Sequence, residues 1–383
     1  MNDERFHTVE RMLERGESAG GFKFLVEQFL ADKNYPLLME TRLMQARHDL
    51  GLPLIQTEPA TMFPPDKQPL YEAAFIDAAR EAGELFLRDG NIERAWPYFR
   101  AIGEPRPVAE AIERVQPGEG IEPVIEIALQ QGVHPVKGLE LILAQFGMCR
   151  AITSFGMYGA QQGRDECVRL LVRSLHAELL DRLKSVIERQ EGVRQRTNNI
   201  TELVRERDWL FGEYDYYVDT SHLVSVIQYG AEAADQPTLS LVNELCAYGS
   251  RLSANFQSRG EPPFENIFQD YGVHTRVLLG EDVEDGIAHF RTKISSDAEY
   301  ADTLAAQILV RLLARIGRYG DALEVAVAHL RDANPSELMC PSALQLCHLA
   351  GDYGRLKALA RQKGDLLSYT AAMLAQPAHP ASG

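Results

Sequence analysis

The chain has 383 residues, 45% apolar and 25% charged, with 55 Asp and Glu against 39 Lys and Arg and a net charge of −16. That composition is ordinary for a globular protein and excludes wholesale disorder. The acidic field repels phosphate backbones and anionic lipid, which argues against a nucleic-acid or membrane partner.

Cys149, Cys167, Cys246, Cys340 and Cys347 are scattered, with no CxxC pair. They make neither a disulfide framework nor a thiolate zinc site. The N-terminal MNDERFHTVERML lacks the apolar core of a signal peptide. No apolar run reaches the roughly 18 residues of a spanning helix. A cytoplasmic protein is the expectation.

Apolar residues recur at three- and four-residue spacing from end to end, the period of an amphipathic helix, and alternating β-branched runs are absent. The pattern predicts an all-α fold. Residues 22–31 and 37–48 read as an antiparallel helix pair. Residues 51–69, with Gly51, Pro53, Pro59, Pro64, Pro65 and Pro69, read as a surface loop, and helices resume at 70–88 and 91–101. Another helix begins near 121 and breaks at the Gly-Val-His-Pro turn of 132–135, where Pro135 suits a first helical position. Residues 165–190 form the longest regular stretch, its apolar face carried by Val168, Leu171, Leu175, Leu179, Leu183 and Ile187. Helices are predicted at 220–233 and 237–257 in the aromatic-rich stretch 209–274, and a Pro-, Ala- and Gly-rich tail, 376–383, is expected to be disordered.

Gly317-Arg318-Tyr319-Gly320-Asp321-Ala322 and Gly351-Asp352-Tyr353-Gly354-Arg355-Leu356 share one frame at an offset of 34 residues. The glycine ends one helix in a left-handed conformation, the tyrosine packs at the turn, and the small residue lets two helices approach. In residues 79–107, Gly83, Phe86, Gly90, Ala95, Phe99 and Pro107 fall at matching small, aromatic, glycine and proline positions. Residues 79–107 and 305–372 therefore resemble tetratricopeptide repeats. Pro97 departs from that pattern, sitting where the second helix should continue. The resemblance implies stacked helical hairpins, an α-solenoid with a concave face. It implies no ligand. Four regions are expected: a helical-repeat region at 1–155, a divergent helical region at 156–300, tetratricopeptide-like repeats at 301–375, and the tail.

No Walker loop, GxGxxG, HExxH or GxSxG is present. Asp219 and His222, three apart at a predicted helix start, share a face and are candidates for an acid–base pair or for two metal ligands. Asp219 also suits a helix cap. His134 stands at the start of a helix, and His274 in what reads as a loop built around Gly272. Together His134, Asp219, His222 and His274 form an N/O donor set suited to a divalent ion such as Zn²⁺ or Mn²⁺. His176 and Glu178 read as surface residues of the long helix. Three tyrosines and three carboxylates in residues 213–219, with Tyr216 a further catalytic candidate, suggest a polar pocket for a hydroxylated ligand.

The primary expectation is a helical-repeat scaffold binding a protein or peptide partner on its concave surface. The alternative is an enzyme, metal-dependent or not, acting on a small polar, sugar-like substrate in a pocket formed by residues 130–290.

Overall fold

The computed structural model describes residues 2–55, 63–294, 301–331 and 333–375, so the predicted tail and part of the 51–69 loop lie outside the described residues. Among the described residues the fold is all-α: nineteen helices and no strand, with one isolated bridge between Arg259 and Asn266. Internal contacts divide the chain into two compact units, Met1–Cys167 and Val168–Gly383.

The first unit holds α1 (Asn2–Glu14), α2 (Ser18–Ala31), α3 (Tyr35–Asp49), α4 (Gln68–Arg88), α5 (Ile92–Ala101), α6 (Arg106–Ile112), α7 (Glu122–Ile125) and α8 (Pro135–Gly156). The unit boundary falls inside α9 (Arg164–Glu191). The second unit continues with α10 (Ile200–Val204), α11 (Thr220–Gly230), α12 (Gln236–Gly249), α13 (Ile267–Leu279) and α14 (Val283–Thr292). It ends with α15 (Ala301–Arg315), α16 (Tyr319–His329), α17 (Ala343–Ala350), α18 (Tyr353–Gln362) and α19 (Leu366–Ala375). Within each unit helices pack on their chain neighbours: α2 on α3, α3 on α4, α4 on α5, α12 on α13, and each of α15 to α18 on the next.

One turn recurs between these neighbours. After α17, Gly351 takes φ +69° and donates its N–H to His348 O (3.0 Å), while Asp352 donates to Cys347 O (2.9 Å). Asp352 then accepts the N–H of Arg355 (2.9 Å) and so caps α18. After α15, Gly317 (φ +76°) bonds Ala314 O and Arg318 bonds Leu313 O in the same pattern. A left-handed residue reverses the chain in a single step, and glycine adopts it without a Cβ penalty. Tyr319 and Tyr353 each open the following helix, and both pack on one core with Leu309, Leu313, Ala322, Leu323 and Leu346.

In the first unit Gly90 and Asn91 repeat that turn between α4 and α5. A Cβ on Gly83 would lie 2.7 Å from the Phe99 ring, so the absence of a side chain is what lets α4 and α5 close. Pro97 does not interrupt α5. It lies on the exposed face of the helix, beside the exposed Glu93 whose carbonyl loses an N–H partner, so the missing bond falls on the solvent side. The predicted helix at 237–257 is shorter than expected. It ends at Gly249, where a Cβ would meet the Phe268 ring at 2.4 Å, and a 3₁₀ turn follows at Ala254–Phe256.

The close α15–α16 contact yields a test. Ala322 is fully buried, so Ala322→Leu should overpack it and lower stability by about 1–3 kcal/mol. Chemical denaturation with the wild-type midpoint would contradict the packing described.

Candidate functional site

Asp219 caps α11: its carboxylate accepts the Ser221 N–H (2.8 Å) and hydroxyl (2.6 Å). The Ser221 hydroxyl, outweighing partial burial, holds the Asp219 pKa below the ordinary carboxylate value, with the backbone N–H and nearby His222 adding to it. His134 caps α8, accepting the Lys137 N–H at Nδ1 (3.4 Å), and pairs with Glu113 through Nε2 (2.8 Å). Tyr216 is exposed and packs on Phe256 (5.0 Å between centroids), and Tyr214 is exposed too. Tyr217 gives its hydroxyl to Leu210 O (3.1 Å). The run of tyrosines is thus partly solvent-facing and partly tied to local backbone.

Two readings of histidines need correction. His274 is not in a loop but inside α13, buried, edge-on to Phe264 and Phe290. Gly272 is helical as well, and a Cβ there would sit 3.4 Å from Cys246 Cβ. The glycine that suggests a loop therefore sits within α13, on the side that meets α12. His176 is not a surface residue. It is buried and pairs with Glu244 on α12 (2.9 Å) rather than with Glu178. Glu244 also accepts from Asn199 Nδ2 (2.9 Å) and from the Ile200 N–H (2.7 Å), so one carboxylate holds α9, α10 and α12 together. Among the described residues no three of His, Cys, Asp and Glu gather so as to hold a metal ion.

A second polar cluster was not singled out by sequence. Asp270, fully buried, accepts the Asn266 N–H (2.8 Å), His289 Nε2 (2.8 Å) and Lys293 Nζ (3.2 Å). Lys293 reaches Glu265 as well (2.6 Å). Burial works against its charge, but the hydrogen bonds to Glu265 and Asp270 outweigh it, and its pKa stands above the usual lysine value. An ammonium held this way is not a free amine nucleophile. Lys293 and Glu265 also wall an 860 Å³ cavity with Ser258, Arg259, Asn266 and Gln269. The signal for the cluster was the four-residue spacing of His289 and Lys293, which places both at one helix face.

A concavity of 940 Å³ lies at the C-terminal hairpins. It takes Arg311 from α15, Leu344, Gln345, His348 and Leu349 from α17, Leu356 from α18, and Ser368 and Ala371 from α19. The connection Leu338–Ser342 closes one side. Arg311 forms an ion pair with Glu232. Cys340 and His348 share this wall, but burial pushes the Cys340 thiol up to about 11. The thiol is therefore protonated at neutral pH and is not an activated nucleophile. Apolar side chains with hydrogen-bonding groups between them line the concavity, a lining suited to holding a ligand.

Comparison with protein families, with curated proteins and with solved structures finds no match for the chain.

The buried histidine sets a pH dependence. Burial first, then the charge of Arg315, lowers the His274 pKa from 6.5 to about 3, and Nδ1 has no hydrogen-bond partner. The charged form is disfavoured in the fold. The stabilisation is therefore complete above the unfolded pKa near 6.5 and is lost as pH falls toward about 3. His274→Leu should remove up to about 1.4 kcal/mol per pH unit from the slope of stability against pH in that window. Parallel curves for the two proteins between pH 6.5 and 4.5 would contradict this placement.

Proposed function

We propose that this chain is a tetratricopeptide-like scaffold that takes an extended, apolar, weakly charged segment of a partner protein in its C-terminal groove. The supporting observation is that helices of successive hairpins, α15, α17, α18 and α19, and the connection Leu338–Ser342 converge on one concavity. From α15 to α19 each helix packs on the one before it, and a stack of hairpins offers shared concave faces of this kind.

The chemistry of the lining selects the ligand. Leu338, Met339, Pro341, Leu344 and Leu349 offer apolar contact, while Ser342, Gln345, His348 and Ser368 supply side-chain partners for peptide backbone. Arg311 is engaged by Glu232, so the groove does not present it as an anchor for an anionic group. Five thiols free of disulfides suit the reducing cytoplasm.

A second reading, an enzyme or binding protein for a small polar, sugar-like ligand, is supported by the polar 860 Å³ cavity walled by Arg259, Glu265, Asn266, Gln269 and Lys293. Calorimetric titration with mono- and disaccharides, with and without Zn²⁺ or Mn²⁺, tests it, and an absence of heat in every titration would remove it.

The groove reading is tested by selecting a random peptide library on the full chain. Apolar, weakly charged sequences should be enriched and should bind at least tenfold more weakly to Met339→Glu and Leu349→Glu. Both residues are about half exposed, at 58% and 48%, so these changes spare the core. No enrichment, or equal affinity for the variants, would sink the proposal.

A further inference from the structure

The last described helix carries a second surface, on a different face from the groove. α19, LLSYTAAMLA, contains no charged residue. Ala372 is its buried contact, and Ser368 and Tyr369 are half-buried beside it. The opposite face is exposed and apolar: Leu366 at 75%, Leu367 at 82%, Met373 at 50% and Leu374 at 82%, with exposed Thr370 between them. At 100° per residue these five positions fall on one stripe. Four large apolar side chains so exposed present on the order of 400 Å², the size of patch that marks an interaction site.

The order of residues in the stripe selects its occupant. Leu366 and Leu374 are equidistant from Thr370, and so are Leu367 and Met373. A two-fold axis at Thr370 would therefore lay this helix antiparallel on its own copy, with Leu366 against Leu374 of the second copy and Leu367 against its Met373. A self-complementary patch of this kind is what an isologous contact requires.

Charge permits it as well. Residues 301–375 hold eight Lys and Arg against seven Asp and Glu, while the rest of the chain holds 31 against 48. Two copies meeting through this region avoid the repulsion that the rest of the chain would impose. A 290 Å³ hollow beside Leu366, formed by Ala360, Arg361, Gly364, Asp365 and Tyr369, is placed to take a side chain of the second copy.

We propose that α19 mediates a two-fold homodimer through the stripe Leu366, Leu367, Thr370, Met373 and Leu374. Two such patches together bury about 800–1,000 Å², below the roughly 1,600 Å² of a standard stable interface, so the dimer is weak and concentration-dependent.

Sedimentation equilibrium of the full chain from about 1 to 200 μM, a range that brackets weak association, tests this. Wild type should pass from monomer to dimer across it. Leu367→Glu and Met373→Lys should each remain monomeric, with the helicity and thermal unfolding of wild type. An equimolar mixture of the two variants should dimerise again, because position 367 of one chain faces 373 of the other. Monomeric wild type at the highest concentration, variants that associate like wild type, or a mixture that stays monomeric would each overturn the proposal.

Discussion

The hinge residue shared by two helices is the constraint on which this architecture rests. At Gly351-Asp352 and at Gly364-Asp365 the residue after the glycine closes the helix behind it with its N–H and caps the helix ahead with its carboxylate. Gly90-Asn91 does the same with an amide. Two residues thus satisfy orphan groups of both helix ends, and the connection is too short for the helices to do anything but fold back on each other. Each helix then buries one stripe against its predecessor and another against its successor. The groove and the α19 stripe both follow from this, since helices of successive hairpins line a common concavity and α19 keeps a stripe that no described helix covers.

Buried polar groups in the second unit serve that packing. Glu244 collects three donors from two other helices, and Asp270 collects three from its own N-terminus and α14. Carboxylates at such depth persist only with every partner in place. Arg315 plays the reverse part, giving its guanidinium to Ala231 O (2.7 Å) and Ala233 O at the end of α11. Burial lowers the Arg315 pKa to about 10, with Arg311 contributing, which leaves it charged at neutral pH. That charge is what the neutral ring of His274 tolerates and a protonated ring would not.

Most of the helical order was legible because it is local. Apolar spacing located α2, α3, α9 and α11, and the 34-residue glycine frame located the turns before α16 and α18. Asp219 was readable as a cap because a cap needs only the next few residues, here Ser221. What failed depended on distance. His176 looked like a surface residue beside Glu178, yet its partner is Glu244, 68 residues on. His274 reads as a loop residue because glycine is a helix breaker by sequence, whereas Gly272 lies inside α13 with helical backbone, facing Cys246 of α12. The groove was invisible for the same reason. Met339 lies in a connection, and α17 reads as apolar nearly all round, so no period in the sequence separates its core face from its groove face.

The most direct measurement is hydrogen–deuterium exchange on the full chain, free and saturated with a groove-selected peptide. Groove recognition predicts slowed exchange around Arg311, across 338–349 and at 368–371, with residues 250–269 unchanged. Slowing confined to 250–269, or no slowing anywhere in α15, α17 and α19, would contradict it.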